Sequence, residues 1–212
     1  MKRNKRNTGD GNKVFYGLSN VHYALLKDDS MSGNPSFEAP IPILGAVGFS
    51  PSPDNADGSF FADNRNYFSA SKNNGYAGDL EMAKFPDEFL ASVLGWEIDK
   101  NGALIEISDG MTREFALLFE IDGDKKGRRN VFYCCAGNAP TQDYKTTGNS
   151  IEPTVQKMGI KATPLVFEAL DGKAIPKASI EYGVADKAWA NFFTEVYMPD
   201  MDITEPKVNG GI

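Results

Sequence analysis

Short segments in which apolar and polar residues alternate recur along most of the chain, and each is bounded by turn-forming residues. Alternation with a period of two is typical of β-strands that bury one face. Clear examples are residues 76–85, 114–121 and 130–137. Strands and helices do not alternate regularly, which disfavours a parallel α/β sheet. The sequence therefore predicts a mainly β protein, a β-sandwich or β-barrel with one or two flanking helices, a long loop and mobile terminal arms.

Two segments have helical spacing instead. Residues 86–94 begin with proline and two acidic residues and stop before Gly95, and these residue types favour the two ends of a helix. The apolar positions of this segment form one stripe that should pack on a sheet or barrel face: Phe89, Leu90, Val93 and Leu94. A second helix is predicted over residues 185–197. Its apolar positions follow the spacing i, i+3, i+4, i+7: Trp189, Phe192, Phe193 and Val196.

Turn-rich segments divide the chain into an arm, a domain and a tail. Residues 1–12 are polar and glycine-punctuated and are predicted to be a flexible arm, residues 13–199 a single β domain, and residues 200–212 a polar tail. Within the domain, residues 50–66 are rich in Ser, Pro, Asp, Asn and Gly and predict a long polar loop. This loop carries the aromatic pair Phe60 and Phe61, so we expect it to dock on another molecule or to fold over the core.

Composition narrows the class of protein further. The formal net charge of −7 disfavours a protein that grips nucleic-acid phosphates, although an acidic wall would let DNA slide past. Cys134 and Cys135 are adjacent, so in a strand they point to opposite faces, and we expect two free thiols in a reducing compartment. The N-terminal segment lacks the apolar stretch of a signal peptide, and no apolar run approaches the roughly 18 residues that span a bilayer. We therefore expect a soluble protein made in the cytoplasm.

Candidate catalytic and metal-binding groups are sparse. His22 is the single histidine, and it falls in a predicted strand, where a packed or surface role is the usual one. Paired carboxylates fall in turn-like segments, where Asp favours local hydrogen bonding. Oxygen ligands for one cation could come from a cluster in the long loop: Asp54, Asn55, Asp57 and Asp63. Phosphate-binding loops, C-x-x-C pairs and nucleophile elbows are missing from the sequence. We expect no enzyme activity, no cofactor and no metal.

Six segments, in order from residue 13 to residue 199, resemble the major tail proteins of siphophages that infect Gram-positive bacteria. They are KVFYGLSNVHYALL, PIPILGAVGFSPSP, FFADNRNYFSASKNNGYAGDLEMAKFPDEFLASVLGWEIDKNGAL, FALLFEIDGDKKGRRNVFYCCAGNAP, SIEPTVQKMGIKATPL and WANFFTEVYMP. The resemblance implies a β-sandwich subunit that forms hexameric rings stacked into a tail tube in the virion, assembled in the bacterial host cytoplasm. It also implies five partners: other copies of the chain, a tape-measure protein, a tail-tip protein, a tail-terminator protein, and double-stranded DNA passing without sequence-specific binding.

Candidate contact residues follow from this hypothesis. We expect loop 50–66 and arm 1–12 to bridge rings, with Phe60, Phe61 and Asp63 in contact with other copies. The compact basic cluster at a hairpin tip should meet acidic surface on another copy: Lys125, Lys126, Arg128 and Arg129. Asp79 and Glu81 alternate with Leu80 and Met82 and are the candidates for lumen-facing positions. The alternative is a carbohydrate-binding β-sandwich of a phage tail or receptor-binding component, in which exposed aromatics such as Phe60, Phe61 and Tyr67 stack on sugar rings.

Overall fold

The computed structural model describes residues 11–27, 34–146 and 153–199. The strands are β1 (Phe15–Leu25), β2 (Ile41–Pro42), β3 (Ala46–Phe49), β4 (Ser52–Ala62), β5 (Arg65–Met82), β6 (Glu97–Ile98), β7 (Leu104–Ile105), β8 (Phe115–Gly123), β9 (Arg128–Gly137), β10 (Gln156–Thr163), β11 (Leu165–Phe167), β12 (Lys173–Ile175) and β13 (Lys177–Glu181). The helices are α1 (Asp87–Leu94) and α2 (Asp186–Asn191). The prediction of a mainly β fold with few helices is confirmed. Residues 1–10 of the predicted arm and the tail 200–212 lie outside the described residues.

The main sheet curls into a barrel. Its antiparallel path runs β2-β1-β8-β9-β10-β5-β3, so its two ends are the consecutive strands β2 and β3. Residues 43–45 connect β2 to β3, and they form backbone hydrogen bonds with β1 on one side and with the residue after β5 on the other. The amide of Ile43 donates to the carbonyl of Val21 (2.7 Å), and the carbonyl of Gly45 accepts from the amide of Ala83 (2.8 Å). One short segment therefore closes the sheet, which removes most of its exposed edges.

The barrel interior is apolar, and α1 packs into it. Inward residues from the barrel strands form one cluster with the buried stripe of α1: Phe89, Leu90, Val93 and Leu94. Pro86 precedes the helix in an extended conformation, and Gly95 ends it with a φ of 70°, in the left-handed region that glycine adopts without strain. The predicted helix and its packing are confirmed.

A second core lies outside the barrel. The outer faces of β1, β8 and β9 pack against β11, β13 and the C-terminal segment around α2, burying Tyr133, Phe167 and Phe192. Strands β8 and β9 are therefore covered on both sides, which explains why both read as nearly continuous apolar runs. Cys135 belongs to the barrel core and Cys134 to the outer core, and both are free thiols, as predicted.

The predicted second helix is shorter than expected. It ends at Asn191, and residues 192–195 form turns. The carbonyl of Trp189, which a longer helix would pair with the amide of Phe193, instead accepts hydrogen bonds from the Arg129 guanidinium and from the amide of Phe192 (3.4 Å). The side chains still pack as the spacing predicted, with Phe192 and Val196 buried.

The prediction of a long polar loop over residues 50–66 is wrong. Strand β4 occupies Ser52–Ala62 and pairs antiparallel with the first part of β5. Asn73, Asn74 and Gly75 are residue types that predict a turn, but β5 continues through them to Met82. Ser, Asn, Asp and Gly disfavour strands by propensity, but the ladder between β4 and β5 overrides that preference. Residues 52–75 thus form a long hairpin, the projecting hairpin, whose inner end joins the barrel.

Candidate assembly surface

The tip of the projecting hairpin is a two-residue turn. Asp63 and Asn64 have φ values of 52° and 61°, and the flanking residues Ala62 and Arg65 face each other across the ladder. Two consecutive positive φ values define the type I′ turn, which matches the twist of antiparallel strands, and Asp and Asn tolerate this conformation better than most residues. The residue types at the tip therefore explain why the chain reverses there.

The hairpin leaves the barrel at Gly75. Tyr76 is the last residue of β5 in this direction to pair with β10, and beyond it β5 pairs with β4 alone among the described residues. Gly75 has a φ of 123°, and a Cβ atom there would lie 2.0 Å from the carbonyl oxygen of Ala162. Its amide donates to the Oδ1 atom of Asn73 (2.8 Å). Glycine is therefore required at the point where the strand bends away from the barrel.

The two faces of the projecting hairpin differ in polarity. Residues that are directly opposite in an antiparallel ladder point to the same face, so the register assigns each side chain. The polar face carries Asn55, Asp57, Ser59, Ser69, Ser71 and Asn73, with Phe61 and Asn66 at its outer end. The apolar face carries Ala56, Gly58, Phe60, Ala62, Phe68 and Ala70, with Lys72 and Arg65 beside them. The ribbon is therefore amphipathic, like a strand pair that covers a core.

Neither face covers anything within the part of the chain that the structure describes. Every residue from 52 to 73 is exposed or partly exposed, and at the tip the exposed fractions of Phe60, Phe61, Tyr67 and Phe68 are 61%, 65%, 70% and 62%. Along the hairpin, the edge of β4 that points away from β5 and the edge of β5 that points away from β4 also lack a further strand among the described residues. At roughly 3.3 Å per residue the ribbon extends about 30 Å. Exposed aromatics and open strand edges together are the features of a surface that binds another chain.

The predicted basic cluster lies at the other hairpin, between β8 and β9, and its charges are used within the chain. Lys126 and Arg128 both pair with Glu181, at 3.5 Å and 3.0 Å, and the Arg128 guanidinium lies 5.4 Å from the ring centroid of Phe15. The turn is also tied to Asn12, whose side chain accepts from the amides of Lys125 (2.9 Å) and Lys126 (2.8 Å). Residue 12, assigned to the arm by sequence, contacts the domain directly.

Arg129 is the most enclosed member of that cluster. Its Nε atom donates to Glu120 at 3.0 Å, and its guanidinium carbon lies 4.1 Å from the Trp189 ring and 4.7 Å from the Phe193 ring. Planar stacking on aromatic rings combined with a carboxylate pair is a geometry that arginine favours. Arg129 therefore holds the α2 segment on the outside of the barrel. Its placement suits an internal role, and its predicted contact with another copy stays untested.

Asp79 and Glu81 lie on the outward face of β5, as their alternation with the buried Leu80 and Met82 predicted. Glu81 forms an ion pair with Lys157 on the neighbouring strand β10. Among the described residues, the carboxylate of Asp79 has no ion-pair partner within 4.0 Å. The outward face is therefore mixed in charge: Glu81 forms a direct ion pair with Lys157, and Asp79 interacts with the same lysine at longer range.

Groups with catalytic potential are held in structural roles. Burial lowers the pKa of His22, whose Nδ1 atom donates a hydrogen bond to the carbonyl of Asn20 (2.8 Å) and whose ring stacks on Phe193. Burial raises the pKa of Cys134 to about 11 and raises that of Cys135 further, so both thiols stay protonated at neutral pH. Within residues 11–27, 34–146 and 153–199, no cluster of three or more His, Cys, Asp or Glu side chains could hold a metal ion.

A membrane-crossing helix is likewise missing from the described part of the chain.

Sequence reasoning found part of the hairpin tip and missed the rest. Phe60, Phe61 and Asp63 were identified as contact candidates, and the structure places all three at the tip. Phe68 and Arg65 are not among these candidates, because a single loop over residues 50–66 contains no strand pairing that would bring them onto the same face as Phe60. The signal was present in FFADNRNYF, where two residues that tolerate positive φ separate two aromatic segments.

Comparisons with known proteins leave the family open: no protein-family model matches the chain, and no curated protein matches it.

Proposed function

We propose that this chain is the repeating structural subunit of a siphophage tail tube, which assembles into hexameric rings stacked around a channel for the genome. The hypothesis rests on the sequence resemblance together with one structural observation: a compact barrel from which an amphipathic hairpin of about 30 Å projects with both faces exposed. An isolated two-stranded ribbon is marginally stable in water. A surface of this kind therefore suits a chain that completes its packing on neighbouring copies.

The arrangement of surfaces also suits a ring. A ring that closes by rotation needs two different patches on each subunit, because the first patch of one subunit binds the second patch of the next. The projecting hairpin is the first patch, and the second lies on the surface of the closed barrel. Extending a sheet between subunits would pair the open edges of β4 and β5, which are otherwise aggregation sites.

The channel of such a tube should let DNA slide. The polar face of the hairpin suits a channel wall, because it carries small polar side chains and a single charged residue, Asp57. The outward face of β5 and β10 is the other candidate, and there Glu81 is balanced by Lys157. Neither surface offers the basic patch that binds phosphates tightly. The tape-measure protein, which would fill the channel before DNA, and the tail-tip and tail-terminator proteins are the other partners that we propose.

Negative-stain electron microscopy of the purified chain over a range of concentrations, paired with sedimentation velocity, tests this function. We expect six-fold rings or hollow tubes that grow with concentration. A variant in which residues 54–75 are replaced by Asn-Gly should remain folded and monomeric. Tubes of normal length from that variant would contradict the assignment of the hairpin as the assembly surface.

Carbohydrate binding is the competing function, and the tip aromatics are the observation that favours it. Tyr67 and Phe68 add two exposed rings to the pair that the sequence indicated. A glycan array probed with the chain distinguishes the two functions. Saturable binding by a stable monomer, lost in Tyr67→Ala, would favour the carbohydrate-binding reading over the tube.

A further inference from the structure

A shallow groove of about 450 Å³ lies on the outward face of the barrel, where β5, β10 and β9 run side by side. Ala77 and Gly159 face outward and form its floor together with the backbone of the neighbouring strands, and its rim carries Asp79 and Lys161. Gly159 lies opposite Asp79, and a Cβ at Gly159 would lie 3.0 Å from the Nδ2 atom of Asn138. Side chains from another molecule can therefore approach the sheet backbone closely at this place.

The two charges on the rim differ in their partners. Lys161 reaches Asp54, at 3.9 Å, on the first part of β4. Asp79 has no cation within 4.0 Å in the described ranges. The groove thus presents a small apolar floor beside a carboxylate whose interaction with Lys157 is longer than a direct ion pair, and a cation flanked by apolar groups would complement both features.

The apolar face of the projecting hairpin offers that combination at its tip. Phe60 and Phe68 face each other across the ladder, and Arg65 shares their face through its pairing with Ala62. The two rings are more than half exposed. Like Asp79, Arg65 makes no ion pair within the described part of the chain. The tip therefore carries an unmatched cation beside two uncovered rings.

A chain cannot place this tip in its own groove, because the hairpin projects away from the barrel on the same strand, β5, that supplies Asp79. The tip carries a cation and the groove carries a carboxylate, and these opposite charges point to a second copy of the chain as the partner. A second copy is also the partner that is present wherever the chain is made, so open edges and exposed rings would meet it first.

We propose that the hairpin tip of one copy docks in the β5–β10–β9 groove of the next, with Phe60 and Phe68 on the floor formed by Ala77 and Gly159 and Arg65 paired with Asp79. This contact rests on the proposed tube function and specifies which surfaces join in it. Arg–carboxylate pairs favour a bidentate geometry that fixes orientation as well as proximity. The contact assigns Asp79 to a surface between copies and leaves the polar face of the hairpin to line the channel.

Charge reversal tests the contact. Arg65→Asp and Asp79→Arg should each raise the concentration for half-maximal assembly at least about ten-fold in sedimentation velocity, because each places like charges together. A one-to-one mixture of the two variants should assemble again, since every interface in it can join a tip to a groove of opposite charge. Asp57→Arg, the same change of charge on the polar face, is the matched control and should assemble like the wild type.

Aromatic substitutions supply a second comparison on one hairpin. Phe68→Ala should weaken assembly more than Phe61→Ala, which removes a similarly exposed ring from the opposite face. Circular dichroism of every variant should match the wild type.

The outcomes separate this contact from the proposed function. Rings or tubes that form equally well from wild type, Arg65→Asp and Asp79→Arg would overturn the contact and leave the tube function standing. Single variants that fail and whose mixture also fails would overturn it as well. A wild-type chain that stays monomeric at every concentration would count against both.

Discussion

The two parts of strand β5 differ in how they are paired with other strands and in how deeply their side chains are buried. From Tyr76 to Met82 the strand is paired on both sides, and Leu80 and Met82 are completely buried. From Arg65 to Asn73 the same strand pairs with β4 alone among the described residues, and every side chain is exposed. The inner part is stabilised by the barrel core, whereas the outer part has an amphipathic pattern without a core. One strand therefore serves stability at one end and association at the other.

Removing an aromatic ring from the barrel should produce the largest change in the free energy of unfolding. Comparing it with the removal of a ring from the hairpin tests the difference between the two parts of β5. Phe132 is buried and packs against Phe49, Phe119 and Tyr76, with ring centroids 5.3–6.0 Å apart. Phe132→Ala should lower the free energy of unfolding by about 3–5 kcal/mol, because it removes buried surface and leaves a cavity. Phe68→Ala in the hairpin should change it by no more than about 0.5 kcal/mol. Urea unfolding followed by tryptophan fluorescence measures both, and equal losses would break the comparison.

Sequence patterns predicted the inner part of β5 better than the outer part for a physical reason. Where a strand covers a core, burial forces alternation, and Leu80 and Met82 were placed correctly. Helix α1 was predicted for the same reason, because Phe89 and Val93 lie on one buried face and Gly95 ends the helix. The projecting hairpin buries nothing in a single chain, so its Ser, Asn and Asp residues matched the composition of a loop.

The contacts of charged residues were harder to predict from the sequence than the strands were, because their partners come from distant parts of the chain. The sequence showed four basic residues in one turn, but Glu181 and Trp189, which bind Arg128 and Arg129, lie more than fifty residues away. Their pairing depends on β13 and α2 packing beside β9. The pattern of charges along the chain therefore could not distinguish a surface patch from internal ion pairs.

The second prediction tests whether Arg129 belongs to the barrel or to an assembly surface. Its side chain is 16% exposed and that of its partner Glu120 is 15% exposed. Arg129→Ala should lower the free energy of unfolding by about 2 kcal/mol, because it leaves a largely enclosed carboxylate without its cation.

Arg128→Ala is the control for this prediction. The Arg128 side chain is 38% exposed, and Glu181 keeps Lys126 as a partner, so the loss should stay below about 1 kcal/mol. If Arg129→Ala abolished assembly and left stability unchanged, the internal role of Arg129 would be wrong.

The third prediction concerns the hairpin as a whole. Replacing residues 54–75 by Asn-Gly joins Pro53 to Tyr76, which already face each other in the ladder. The free energy of unfolding should change by no more than about 1 kcal/mol, because the excised segment buries almost no side chain and a shorter connection costs less loop entropy. Urea unfolding of the variant beside the full chain measures this. A loss comparable to that of Phe132→Ala would show that the hairpin supports the barrel after all.

The smallest expected effect comes from His22, which lies between the barrel and the α2 segment. Burial lowers its pKa, and the nearby charge of Arg129 lowers it further, while the hydrogen bond to Asn20 acts in the opposite direction. The folded state therefore binds a proton less readily than the unfolded state, whose histidine titrates near 6.5. Stability from the neutral ring is present above this pH and is lost as the pH falls below it.

His22→Phe keeps a ring against Phe193 and removes the titration. The difference in free energy of unfolding between wild type and His22→Phe should shift against the wild type as the pH falls from 7 through about 6.5 to 5. Groups that titrate equally in both proteins cancel in this difference. The shift should be smaller than the effect of Arg129→Ala, since His22 is only partly enclosed. Parallel curves over this range would mean that protonation of His22 does not disturb the packing of Phe193 on the barrel.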